Sequence, residues 1–158
     1  DNDYIDYYQD WNQTLSIPRV IEFRNGKFFQ IPIYKVLNLR CDKKTFDANV
    51  TLSKSCNIKF DVESDFVIKL NNVVLSNKDM ELCLDLSQCD CGRTKRYIKN
   101  IDVQNISIYI DESVLEIFIN NGEYTMTSRF YDNEKDLFVR FEGINEIETY
   151  KMKGFKIE

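Results

Sequence analysis

The stretch SIYIDESVLEIFINNGEYTMTSRF, running from Ser107 to Phe130, decides how the rest of the chain is read. Two runs rich in β-branched and aromatic residues, Val114 to Asn120 and Glu123 to Phe130, flank Asn121-Gly122. Asn-Gly supplies positive φ at both central positions of a type I′ turn at low steric cost, so the spacing predicts a β-hairpin. A two-residue turn pairs Asn120 with Glu123 and carries the register out to Ile119 opposite Tyr124, Ile117 opposite Met126 and Leu115 opposite Ser128. Side chains alternate along a strand, so one face is apolar and the other carries Val114, Glu116, Phe118, Thr125, Thr127 and Arg129. Glu116 then lies diagonal to Arg129, within reach of a cross-strand ion pair. Such a mixture is neither core nor plain surface, and the face is expected to meet a partner.

The same signals recur on both sides. Val20, Glu22 and Arg24 alternate with Ile21 and Phe23, Asn25-Gly26 predicts a second hairpin turn, and Phe28 to Ile33 is the returning strand. Pro18 and Pro32 belong at strand edges or ends, because a central strand needs the N–H that proline lacks. Val36, Leu37 and Leu39 predict a single helical turn ending near Arg40. Further short strands are expected at Asp47 to Leu52, Asn57 to Val62, Phe66 to Leu70, Met80 to Leu86, Tyr97 to Ile98, Asn105 to Ile110, Asp136 to Phe141, Glu146 to Met152 and Phe155 to Ile157. Asp111 and Glu112 are expected to form the turn before Val114. This predicts an all-β fold, a two-sheet antiparallel β-sandwich of about ten to twelve strands with at most one short helical turn. Residues 1–10, acidic and rich in tyrosine, read as a leading segment, and residues 11–158 as one domain.

Composition narrows the function classes. The net charge is −5, and the 21 Lys and Arg are scattered, which argues against a nucleic acid or an anionic membrane surface as partner. No apolar run approaches the roughly 20 residues of a membrane span. Asp1 to Asp10 is too acidic for a secretion signal, and the lack of an initiating Met reads as a mature or excised chain. The absence of His removes the usual general base and the commonest metal ligand, and five glycines cannot build a phosphate-cradling loop. Five cysteines without regular spacing read as unbridged thiols in a reducing compartment, with Cys83 as a buried strand residue and Cys89-Asp90-Cys91 as loop. No metal or cofactor is expected. A glycosidase needs two carboxylates facing each other across the scissile bond, whereas Glu116 faces an arginine, so it reads as half of a structural ion pair.

A family resemblance adds to this. Trp11 followed by Leu15-Ser16-Ile17-Pro18-Arg19-Val20-Ile21, then Asn25-Gly26-Lys27-Phe28-Phe29-Gln30-Ile31-Pro32, then Leu37-Asn38-Leu39-Arg40, resembles the start of the C-terminal β-sandwich of glycoside hydrolase family 32. Gly92-Arg93, the run Asp111 to Glu123 and Thr127-Ser128-Arg129 are similar to later motifs of that family, which includes invertases, sucrose-6-phosphate hydrolases and fructanases. Val20-Ile21 stands where the family pattern favours Glu-Leu, and Leu115 where Val is common; Cys41 to Leu86 carries no matching motif. The family's catalytic carboxylates lie in an N-terminal five-bladed propeller, and none of their motifs occurs in this chain. The resemblance therefore implies a non-catalytic sandwich of a retaining β-fructofuranosidase, inactive alone, whose partner is the propeller of the same polypeptide, and it makes that propeller or the other sheet the expected cover of the mixed face of Val114 to Arg129. It also implies interdomain or structural roles for Trp11, Pro18, Arg19, Gln30, Pro32, Asp111, Glu116, Asn120, Gly122, Glu123 and Arg129. Independent carbohydrate binding and homo-oligomer formation are the rival expectations. The thiols and the unsigned start point to the cytoplasm.

Overall fold

A computed structural model describes residues 14–89 and 94–154. Trp11, Cys91, Gly92-Arg93 and the strand expected at Phe155 to Ile157 lie outside the described residues. The described residues fold into an antiparallel β-sandwich of two six-stranded sheets, to which a two-stranded hairpin is added. The hairpin is β1 (Arg19–Arg24) and β2 (Lys27–Pro32), followed by the short helix α1 (Tyr34–Leu37). The first large sheet comprises β3 (Arg40–Phe46), β5 (Ser55–Asp61), β10 (Asn105–Asp111), β11 (Val114–Ile119), β12 (Tyr124–Arg129) and β14 (Ile147–Met152), in the order β12-β11-β10-β5-β14-β3. The second comprises β4 (Val50–Ser53), β6 (Phe66–Leu70), β7 (Val73–Lys78), β8 (Glu81–Asp85), β9 (Lys95–Lys99) and β13 (Asp136–Glu142), in the order β4-β13-β6-β7-β8-β9.

The core is the product of period-two patterning. Ile58 on β5, Ile108 on β10, Ile117 on β11 and Met126 on β12 fall in one cross-strand row. Ile68, Leu75 and Leu84 form the corresponding row of the other sheet. All of these except Met126 have no exposed surface, and the two inner faces interdigitate into one apolar cluster. Two polar ties close the edges. Arg96 on edge strand β9 donates from Nη1 to the Thr127 carbonyl of edge strand β12 at 2.6 Å, joining the sheets. At one end of the sandwich Lys54 pairs with Asp132, whose other oxygen accepts from Asn71 Nδ2 at 2.9 Å.

The predicted register of β11 and β12 holds at Ile119–Tyr124, Ile117–Met126 and Leu115–Ser128, whereas Asn120 and Glu123, expected to pair, belong to the turn. Their connection differs from a type I′ turn: Asn120, Asn121 and Gly122 all have positive φ and form a 3-10 turn closed by Glu123 in the right-handed region. The loop gains one residue on each side, and an even change leaves strand parity untouched. At Asn25-Gly26 the two-residue turn with positive φ at both positions is present. The helical turn falls at Tyr34–Leu37.

Fourteen strands are described instead of ten to twelve, because β3 and β7 carry no clear signal. β3, RCDKKTF, is an edge strand with most side chains in solvent, so nothing forces apolar alternation upon it. A register shift in its pairing with β14 and positive φ at Asp42 blunt this open edge. β7 buries only Val73, Leu75 and Asn77, and its short apolar run lies between asparagines that read as breaks. β8 starts at Glu81, not Met80, because Asp79 and Met80 both adopt positive φ in the turn. Cys83 is on a strand but half-buried: the inward positions are its neighbours Leu82 and Leu84.

Two predictions follow from backbone and burial. At Gly143, φ is +74° and an added Cβ would lie 2.1 Å from the Asp65 carbonyl oxygen; at Gly26, φ is +76° and nothing lies within 4 Å. In denaturant melts Gly26→Ala is expected to cost about 1–2 kcal/mol, the conformational term alone, and Gly143→Ala clearly more. Equal losses would mean that the contact is absent. Burial pushes the Cys56 thiol up to about 12 from an ordinary 9.0. Between those values the unfolded chain releases a proton that the folded chain keeps, so this contribution is intact below pH 9 and is lost as pH rises towards 12. Unfolding free energy measured across that window should fall less steeply in Cys56→Ala than in the parent chain.

Candidate functional site

β11 is buried on both faces, which is unusual for a strand next to the sheet edge. Leu115, Ile117 and Ile119 point into the sandwich, while Glu116 and Phe118 point out of it, yet those two are only 1% and 3% exposed. The cover is the chain's own N-terminal segment. Ile17, Ile33 and Val36 pack with Tyr109, Phe118 and Met152 into a second, small apolar cluster. Among the described residues the mixed face is covered not by the other sheet or a separate domain, the covers expected, but by the segment leading into and out of the β1–β2 hairpin.

Arg19, the first residue of β1, is the centre of the contact. Its Nη2 donates to Glu116 Oε2 at 2.5 Å and to Thr127 Oγ1 at 2.8 Å. Its Nη1 donates to Gln30 Oε1 at 2.8 Å and Thr125 Oγ1 at 3.3 Å. The guanidinium lies 5.0 Å from the centre of the Phe118 ring. The other carboxylate oxygen of Glu116 accepts the Ile17 N–H at 2.5 Å. Both oxygens are thus engaged by groups about a hundred residues away in sequence. The expected pairing of Glu116 with Arg129 is replaced by this one. Thr127 lies directly opposite Glu116, and Arg129 reaches the other way, donating to Ser113 Oγ at 2.8 Å and lying over the Tyr131 ring.

The 3-10 turn supplies the second part of the seat. An added Cβ at Gly122 would stand 2.1 Å from the Gln30 carbonyl oxygen, so the hairpin backbone rests on a position where no side chain fits. Next to it, Lys27 Nζ pairs with Glu123 Oε1 at 2.6 Å. Asn120 and Asn121 fasten this turn to the sandwich. Asn120 accepts the Gln104 N–H and donates to the Asp102 carbonyl, at 2.8 Å and 2.7 Å; the Asn121 N–H goes to Asn105 Oδ1 at 2.9 Å. At the open end of the hairpin the Pro18 carbonyl accepts the Ile33 N–H at 3.0 Å, and Pro32 stands opposite Arg19.

Of the residues singled out in the sequence, Pro18, Arg19, Gln30, Pro32, Glu116, Asn120, Gly122 and Glu123 are brought together at this seat. Asp111 and Arg129 are not: Asp111 ends β10 at the turn with Glu112, away from the hairpin. Thr125, Thr127, Lys27 and Ile17 were missing from that set. The two threonines stood on the mixed face already, but the cation that they would serve could not be identified from local spacing.

The seated hairpin presents an apolar face of its own. By alternation Arg19, Ile21 and Phe23 share a side of the hairpin with Phe28, Gln30 and Pro32. Arg19 and Gln30 are covered, whereas Ile21, Phe23 and Phe28 are each about two-thirds exposed. Phe23 and Phe28 touch each other at a centroid distance of 4.9 Å. Leu15, Val20 and Tyr34 are exposed on the same segment. The arrangement holds and presents, with both Glu116 oxygens occupied.

Comparison with known proteins fits this geometry. Residues 35–157 match the family described as "Glycosyl hydrolases family 32 C terminal". The chain is 34% identical over 157 residues to the sucrose-6-phosphate hydrolase of Vibrio alginolyticus, covering 91% of this chain and 32% of that protein. It is 24% identical over 151 residues to the sucrose-6-phosphate hydrolase of Streptococcus mutans, covering 85% and 32%. The chain thus spans about a third of the length of these curated relatives. Among solved structures it resembles the sucrose-6-phosphate hydrolase of Lactobacillus gasseri, with a TM-score of 0.69 at 18% identity over 85% of this chain and 33% of that one. It also resembles a glycoside hydrolase family 32 protein of Bifidobacterium adolescentis, with a TM-score of 0.72 at 16% identity over 88% and 26%. At such identities these likenesses speak to the sandwich fold alone.

Removing one partner of a buried ion pair leaves the other uncompensated. Glu116→Gln is expected to lower unfolding free energy by about 3–5 kcal/mol, and the double replacement Glu116→Leu with Arg19→Met to recover part of that loss. A loss below about 1 kcal/mol, typical of an exposed pair, would show that the hairpin is not seated as described.

Proposed function

Since the chain belongs to the family of glycosyl hydrolase family 32 C-terminal domains, we propose that it serves as the C-terminal β-sandwich of a retaining β-fructofuranosidase acting on sucrose-6-phosphate or sucrose. In this reading hydrolysis belongs to an N-terminal five-bladed propeller of the same polypeptide, and the sandwich supports it without supplying a catalytic group. The observation that carries the proposal is the exposed apolar face of Ile21, Phe23 and Phe28 on a hairpin whose base is locked by Arg19 and Glu116. Contiguous exposed apolar side chains on an otherwise charged surface mark an interaction site. A hairpin fixed by a buried ion pair and a backbone contact can hold a neighbouring domain at a defined angle. The similarity of most of the chain to sucrose-6-phosphate hydrolases supports the substrate assignment. The unbridged thiols of Cys41, Cys56 and Cys83 support a reducing, cytoplasmic setting.

A chimera provides the test. With this chain in place of the corresponding C-terminal third of the Vibrio alginolyticus protein, hydrolysis of sucrose-6-phosphate should be retained. Phe23→Asp with Phe28→Asp should lower both its activity and its melting temperature, while the isolated chain shows no turnover. A chimera indifferent to both aspartates would overturn the docking role, and turnover by the isolated chain would overturn the non-catalytic one.

A further inference from the structure

The sequence holds two Asn-Gly pairs, Asn25-Gly26 and Asn121-Gly122, and the fold treats them in opposite ways. In this dipeptide the side-chain amide is open to attack by the backbone, because glycine has no Cβ to hinder the approach of its own nitrogen. The glycine nitrogen, once it gives its proton to hydroxide, forms a bond to the asparagine Cγ; the bond from Cγ to the side-chain nitrogen breaks and ammonia leaves. The product is a cyclic succinimide. Water adds to either ring carbonyl and opens the ring, leaving an aspartyl residue or an isoaspartyl residue whose backbone runs through the side chain. Water enters, ammonia departs, and nothing is oxidised or reduced. The geometric demand is that the Asn–Gly peptide turn over, out of the left-handed conformation in which an Asn-Gly turn holds it.

At Asn25-Gly26 nothing resists that movement. Both residues are exposed at the tip of the β1–β2 hairpin, with φ of 52° and 76°, and no atom beyond the chain neighbours lies within 4 Å of the place where a Gly26 Cβ would stand. The strands beside the tip are held by their own pairing, Arg24 with Lys27 and Phe23 with Phe28, so the peptide between them moves without disturbing the sandwich. Asn121-Gly122 has the same left-handed backbone, with φ of 57° and 94°, but is pinned. The Asn121 N–H is held by Asn105 Oδ1 at 2.9 Å, and Gly122 is buried against the Gln30 carbonyl. Turning this peptide over requires the hairpin to lift, and lifting it separates Arg19 from Glu116. The same chemistry is thus open at one site and closed at the other by the buried ion pair.

We propose that Asn25 is a site of spontaneous deamidation in the folded chain, and that Asn121 reacts only when the hairpin leaves its seat. The first event puts a carboxylate on the tip between Arg24 and Lys27, beside the Phe23–Phe28 pair, and in the isoaspartyl form it adds a methylene to the backbone of the turn. The site lies on the docking hairpin, but the reaction needs only water and this chain, so it stands or fails apart from the docking role. The test is peptide mapping by mass spectrometry of the chain aged in mildly alkaline buffer, once folded and once in urea. In urea both asparagines should convert at similar rates, faster as pH rises. In the folded chain Asn25 should stay within about tenfold of its rate in urea, and Asn121 should fall at least about a hundredfold below its own, because it waits for the ion pair to open. Gly26→Ala should suppress conversion at Asn25 alone. Glu116→Gln should raise it at Asn121 while buried Cys56 stays closed to alkylation in the same digest. Protection of Asn25 as strong as that of Asn121, equal rates at both sites in the folded chain, or an Asn121 unmoved by Glu116→Gln or released only together with Cys56 would each overturn the proposal.

Discussion

Everything distinctive about this molecule depends on one buried pair of charges, Arg19 and Glu116. Two ions taken out of water cost several kcal/mol each in desolvation, and attraction offsets this only with full hydrogen bonding. Here both carboxylate oxygens are engaged, by the guanidinium and a backbone amide, and both terminal guanidinium nitrogens by the carboxylate, two threonines and a glutamine, while the buried Nε of Arg19 has no partner among the described residues. Such a pair adds little net stability compared with apolar packing, but it is demanding in direction. An apolar contact would let the hairpin slide on the sheet, whereas the guanidinium fits Glu116, Thr125, Thr127 and Gln30 in one orientation.

The seat explains why motifs scattered along the sequence belong together. The Pro-Arg of the first segment, the Gly-Lys and Gln of the hairpin, and the Glu and Asn-Asn-Gly-Glu of β11 and its turn are one spatial unit. Each contributes a different kind of contact: a charge pair, a backbone approach that excludes a side chain, and an exposed lysine–carboxylate bridge. Asp111 and Arg129 are close to these motifs in sequence and far from them in role, since they belong to the turn at the other end of β10 and β11.

What was legible in the sequence followed from local rules. Strand parity and register around Asn121-Gly122 could be read because the two faces differ in polarity, and a loop longer by an even count preserves them. The character of the outward face was also legible, but the identity of its cover was not. The nearest cation in the hairpin, Arg129, was the natural local partner for Glu116, while the actual one comes from a strand at the far end of the chain. β3 escaped notice because an edge strand with solvent on most of its side chains has no reason to alternate.

The hairpin also bears on where the folding unit begins. The family match starts at Lys35, after β2, and a polypeptide trimmed there would keep every strand of both six-stranded sheets. It would nevertheless uncover Phe118 and strip Glu116 of its cation, leaving a carboxylate in a groove shaped for a guanidinium. A boundary drawn by sequence similarity and one drawn by charge neutrality thus differ by a whole hairpin. The second is the one that solvent enforces: the domain is complete only once its own leading strand has cancelled the charge on its sheet.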